Sequence, residues 1–152
     1  MKKYRVDKLD RKMLVEEPEV IYQRLRPAVS NHTTLAFKAL DGVPATIFDD
    51  VVGLFGHHDY LAEVVELNPK TIHKYQAQQI KFSPAKSELM LKLVALYRKG
   101  VDTFGQRESF LNWLSKPAFG IDNRTPLHLI KTSDGIDLIS EELDRIQQGD
   151  TA

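Results

Sequence analysis

Apolar residues recur at helical spacing along most of the chain. Alternating β-branched runs are missing, and no Asn-Gly or Asp-Gly pair sits between two such runs, so the strand signal is poor. Residues 8–26 carry Leu9, Met13, Leu14, Val20, Ile21 and Leu25 and read as a helix that Pro18 splits. Residues 27–34 read as a linker. Residues 35–40 form a short apolar segment, a strand or a helical turn, ended by Asp41-Gly42. Pro44 suits a first helical position, and Ile47, Val51, Val52, Leu54 and Phe55 give the next helix an apolar face that Gly56 closes. Leu61, Ala62, Val64 and Val65 mark a helix over residues 58–67. Asn68-Pro69 opens another, with a good cap and a good first residue, and Ile72 and Tyr75 share its inner face. Ser83-Pro84 begins the strongest helix, with Leu89, Met90, Leu93, Val94, Leu96 and Tyr97; Gly100 is expected to end or loosen it. Residues 106–115 hold Phe110, Trp113 and Leu114. Thr125-Pro126 starts a short helix, and a last one runs from Asp134 or Gly135 through Ile146. The pattern predicts an all-α chain.

Composition narrows the chemistry. Hydrophobic residues make up 42% of the 152 and charged residues 28%, an ordinary globular balance. With no cysteine, disulfides, thiolate metal sites and cysteine nucleophiles are excluded. No apolar run approaches the roughly 18 residues of a membrane span, and the charged start lacks an apolar segment behind it, so a cytoplasmic location is expected. The net charge of zero conceals blocks. Residues 1–40 are net +4, residues 41–67 net −6 without a single Lys or Arg, residues 68–107 net +6, and residues 108–152 net −4. A basic block in a neutral protein suits a polyanion, or is simply a solvated helix face.

The basic block begins in a candidate helix-turn-helix. Ala62 offers the small residue that lets the two helices approach, and Leu67, Ile72 and Tyr75 hold the second helix in place. Its other face stays polar. Asn68, Lys70, Thr71, His73, Lys74, Gln76 and Lys81 are the candidate DNA contacts: Lys donates to guanine acceptors, Gln pairs with adenine, and Thr or Asn holds phosphate near the helix start. The spacing resembles the Xre and Cro-type helix-turn-helix. Glu66 stands at the turn position where such motifs often have Gly, and the upstream acidic residues are expected to face away from the DNA side.

The C-terminal third carries a more specific pattern. Trp113-Leu114 is followed by Pro117, Phe119-Gly120, Thr125-Pro126-Leu127, Leu129-Ile130, Thr132, Gly135 and then Leu143-Asp144-Arg145-Ile146-Gln147-Gln148-Gly149. Together with the Gly42-Val43-Pro44-Ala45 segment, Thr71 and residues 83–97, these landmarks resemble the Xre/MbcA/ParS-like antitoxins. Phe119 replaces the smaller aliphatic residue usual before the Gly turn, and His73-Lys74-Tyr75 stands where many members carry Gln-Arg-Arg.

The resemblance implies an antitoxin of a type II system, whose partner is a RES-domain toxin that consumes NAD or transfers ADP-ribose. It implies occlusion of the toxin cleft and autoregulation through operator double-stranded DNA, by a homodimer joined through residues 84–97 or the N-terminal helices. The expected organisation is a variable N-terminal helical region (1–40), a helix-turn-helix region (41–104) and a small helical toxin-binding domain (105–152). Arg145, Gln148, Gly149, Asp150, Thr151 and Ala152 are the candidate toxin contacts, since a short tail after a Gly can enter a cleft, or can simply fray. Trp113 and Leu114 read as core. His57-His58-Asp59 reads as a helix start rather than a metal site, because neighbours in sequence do not share a helix face. Acid pairs such as Asp49-Asp50 and Glu141-Glu142 read as solvated. The sequence holds no catalytic constellation and implies no cofactor. The other readings are a stand-alone helix-turn-helix regulator with a C-terminal dimerisation or ligand domain, and an adaptor that has lost DNA binding.

Overall fold

The computed structural model of the chain describes residues 16–152. The expected helical residues 8–15 and the basic residues Lys2, Lys3, Arg5 and Lys8 lie outside them. The described residues fold as α1 (Pro18–Leu25), α2 (His32–Asp41), α3 (Ile47–Phe55), α4 (His58–Val64), α5 (Pro69–Ala77), α6 (Pro84–Phe104), α7 (Arg107–Leu114) and α8 (Ser133–Gln147). Three 3-10 turns, Arg26–Val29, Phe119–Ile121 and Pro126–Lys131, complete the order.

The helix starts follow from capping chemistry. The side chains of Asn31, Asn68, Ser83 and Thr132 accept from the backbone N–H groups of Thr34 (2.8 Å), Thr71 (2.8 Å), Lys86 (3.3 Å) and Gly135 (3.0 Å). Pro69 and Pro84 pre-set the first turns of α5 and α6.

The 21-residue α6 is the axis of the fold. Met90, Leu91, Leu93, Val94, Leu96 and Tyr97 are all buried, so neighbours must cover more than one side of it. Helices α2, α3, α7 and α8 pack around it. Helix α8 runs parallel to α6: Lys92 Nζ donates to Ser133 Oγ and Asp137 Oδ1 (2.7 and 2.8 Å), Lys99 Nζ pairs with Asp144 (2.9 Å), and Gln147 donates to Thr103 Oγ1 (2.6 Å). Two loops meet over the start of α6. Phe82 N–H donates to Val43 O at 2.9 Å, and buried Ser87 Oγ accepts from Val43 N–H (2.9 Å) while donating to Phe82 O (3.2 Å).

Several sequence expectations change. Residues 27–34 are not a plain linker, because the 3-10 turn Arg26–Val29 and the capped start of α2 fall within them. Residues 35–40 belong to α2, whose Leu35 and Ala39 face the core at helical spacing. Pro44 does not start α3; it lies in an isolated bridge to Lys81, and the helix begins at Ile47. Gly100 does not end α6. It is buried in mid-helix, where the ring of Phe110 occupies the space a side chain would fill. The apolar face of residues 84–97 is covered by the core, which removes it as a dimer seam. Exposed large apolar residues remain at Val20, Phe37, Leu40, Phe119 and Leu138.

Candidate functional site

Helices α4 and α5 form a short helical hairpin. Leu61, Ala62, Val64, Val65 and Ile72 are buried, and Leu67 and Tyr75 are half-buried against them. Glu66 adopts φ +56° in the turn, the left-handed region that explains why Gly is common at this place. The hairpin is braced from the far end of the chain. The Tyr60 hydroxyl donates to Leu127 O at 2.9 Å, and burial pushes its pKa up. Lys131 Nζ lies 5.4 Å from the same ring.

On the outer face Lys70, His73 and Lys74 are exposed and Thr71 is half-buried. Asn68 is occupied as the helix cap, and Lys81 lies beyond α5 on the segment bridged to Pro44. Gln76 turns inward: its amide donates to Ala45 O (3.3 Å) and Asp49 Oδ1 (3.2 Å). The acidic residues do not all face away. Asp50 pairs with Arg24 at 2.7 Å, which raises the Arg24 pKa, and Asp49 accepts from Gln76; neither belongs to a merely solvated pair. Asp59, Glu63 and Glu66 rim an open recess floored by Ala62, Leu67 and Pro69, beside the start of α5. His57 sits at φ +58° before α4, and the His58 ring stands edge-on to Phe48 at 5.3 Å. Among the described residues no group of three His, Cys, Asp or Glu is placed to hold a metal ion.

The second surface is built by α7, α8 and the loop between them. Trp113, Leu114, Ile130, Ile136, Ile139 and Leu143 are buried and lock these parts together, as expected for Trp113 and Leu114. Residues 118–124 form a closed loop. Ala118 N–H donates to Arg124 O (2.9 Å) and Asn123 N–H to Ala118 O (3.0 Å), while Asp122 and Asn123 take the positive φ values that Asp and Asn tolerate. Ala118 and Ile121 point into the core, and Phe119 between them projects outward, 72% exposed.

Beside Phe119 lies an open concavity of about 320 Å³. Gly120, Glu142, Arg145 and residues 149–151 line it together with Phe119. Glu142 is only 1% exposed, unlike the exposed Glu141 beside it, so this pair is not solvated as a pair. Arg145 Nε and Nη2 both lie 2.8 Å from Glu142 Oε1, a charge-assisted pair that holds the guanidinium over the rim. A Cβ on Gly120 would stand 1.7 Å from Glu142 Oε2, so any larger residue there would have to displace this carboxylate.

Four of the six expected contact residues, Arg145, Gly149, Asp150 and Thr151, therefore meet at one concavity. Gln148 caps α8 and is exposed outside the concavity's lining. Ala152 folds back, its carbonyl accepting from Trp113 Nε1 at 3.4 Å. Phe119, Gly120 and Glu142 were not among the sequence candidates. An aromatic residue in a turn-forming segment was the available signal for Phe119; helix phase alone could not separate Glu142 from Glu141.

All of this surface except residues 150–152 lies within residues 99–149, which match the family model described as the antitoxin Xre/MbcA/ParS C-terminal toxin-binding domain. Residues 99–149 form an Xre/MbcA/ParS-like antitoxin toxin-binding domain. The match starts in the last turns of α6 and takes in α7, the closed loop and all of α8. No curated protein matches the chain. Five of the seven residues that line the concavity belong to this toxin-binding domain, and no helix among the described residues is long and apolar enough to cross a membrane.

Proposed function

We propose that this antitoxin neutralises a RES-domain toxin, one that consumes NAD or transfers ADP-ribose, by laying its C-terminal face over the toxin's active-site cleft. The observation that carries the reading is the concavity that Gly120, Glu142, Arg145 and Gly149 of the matched domain form with the following Asp150 and Thr151. The mechanism is steric: the antitoxin supplies a shaped, hydrogen-bonding surface and no chemistry of its own. Co-expression with the neighbouring gene tests it. A stable complex, with cellular NAD falling only when the antitoxin is withheld, is the expected result; no complex and no toxicity would refute it.

The same protein acts, in this reading, as a homodimer on operator double-stranded DNA and autoregulates its operon in the cytoplasm. Lys70, His73 and Lys74 on the outer face of α5, with Ile72 anchoring the helix from below, support this part. Dimerisation is assigned to the N-terminal helices, where Phe37 and Leu40 are 65% and 70% exposed three residues apart on α2. The variant with Lys70→Glu and Lys74→Glu should lose operator binding and still neutralise the toxin. Unchanged DNA affinity would remove the recognition role from α5.

A further inference from the structure

We infer that Phe119 and Arg145 form the anchor of the toxin contact, and that the toxin meets them with an apolar recess edged by hydrogen-bond acceptors. The inference rests on the antitoxin reading and names its centre.

Three features of the molecule converge there. The first is a large aromatic side chain held out in water with no internal role. Phe119 is 72% exposed, although the residues on either side of its short turn, Ala118 and Ile121, are buried. The second is rigidity. The loop that carries Phe119 is closed by backbone hydrogen bonds from Ala118 and Asn123, at 2.9 and 3.0 Å. A side chain presented on a fixed loop loses little conformational freedom on binding, so more of its burial appears as affinity. The third is an arginine already oriented. Glu142 takes Nε and Nη2 of Arg145, which leaves the remaining guanidinium edge to point outward from a half-exposed side chain. Arginine and aromatic residues are the usual anchors of tight interfaces. Both line one concavity, within the segment matched to a toxin-binding domain.

The partner's chemistry follows from the same geometry. Phe119 has no polar atom to satisfy, so it needs an apolar recess. Arg145 is neutralised by Glu142, so it needs acceptor atoms such as backbone carbonyls more than a second carboxylate. The neighbouring acidic Asp150 also disfavours an acidic partner group at this place.

The test measures the affinity of the full-length antitoxin for the protein encoded by the neighbouring gene. Phe119→Ala and Arg145→Ala should each weaken the complex about 30-fold or more, the size expected of an anchor residue. Phe119→Leu should recover part of the loss, and Arg145→Lys little, because lysine lacks the planar fork. Melting temperature and DNA affinity serve as folding controls, and both should be unchanged for Phe119→Ala because the ring is outside the core. If the wild-type complex forms and both alanine variants bind within about threefold of it, the anchor is elsewhere and only this inference falls. If the wild-type chain forms no complex, the antitoxin reading falls and takes the inference with it.

Discussion

Gly100→Ala sets two effects of similar size against each other. Gly100 lies in the interior of α6, where alanine is favoured over glycine by about 1 kcal/mol. On helix propensity alone the substitution stabilises. The new Cβ, however, would stand 2.2, 2.3 and 2.3 Å from three carbons of the Phe110 ring. Ordinary carbon contact requires the ring or the helix to retreat by more than about 1 Å. Retreat is blocked, because Phe110 is fully buried with Phe55 at 6.1 Å and Phe104 at 6.4 Å, centroid to centroid. Overpacking of a closed core costs about 1–3 kcal/mol, and a contact this short belongs in the upper part of that range. The net expectation is a loss of about 1–2 kcal/mol, or roughly 2–8 °C in Tm for a chain of this size. Urea unfolding followed by far-ultraviolet circular dichroism should show a lower midpoint with an unchanged slope. Adding Phe110→Leu opens the space, so the double variant should be more stable than the two single losses predict. A Gly100→Ala protein as stable as wild type, or more so, would refute the packing account and leave helix propensity in command.

Four further outcomes are expected. Ser87→Ala removes the buried hydroxyl that joins Val43 N–H to Phe82 O and should lower stability by about 1–3 kcal/mol; an unchanged urea midpoint would count against it. Asn68→Ala strips the cap from α5 and should cost about 1 kcal/mol, with faster amide exchange confined to the first turn of that helix. Glu66→Gly relieves the left-handed backbone at φ +56° and should be stabilising by up to about 1 kcal/mol; a loss would mean that the Glu66 side chain matters to the turn. Hydrogen bonds from Gln23 and then Arg98 hold the Glu19 carboxyl below its usual pKa. Its stabilisation is therefore present above the ordinary carboxylate range and is lost as pH falls through the lowered folded value. Urea midpoints of wild type and Glu19→Gln should differ near neutrality and converge in acid, and a gap that persists in acid would exclude this coupling.

The candidate site was only partly readable beforehand. Arg145, Gly149, Asp150 and Thr151 could be placed together because they are local to the end of one helix. Phe119 and Glu142 could not, since their roles depend on which way a closed loop and a helix face turn after packing. The hairpin shows the same division. The inward set Leu61, Ala62, Val65, Ile72 and Tyr75 is periodic and was readable; the inward turn of Gln76 toward Ala45 and Asp49 was not, because both partners come from about thirty residues upstream.

What the sequence determined by itself is what local physics decides. Helical periodicity, Asn and Ser caps and proline first residues placed most helices near their observed positions. The spaced landmarks of residues 113–149 specified the domain family. Tertiary structure decided everything that needed a distant partner. Gly100 became a packing notch instead of a helix end because Phe110 comes to lie on it. Residues 35–40 became helix because α6 offers them a surface to cover. Glu142 became a buried support for Arg145 because Gly120, with no side chain, closes over it. Periodicity reports which positions can be buried; only the folded chain reports what buries them.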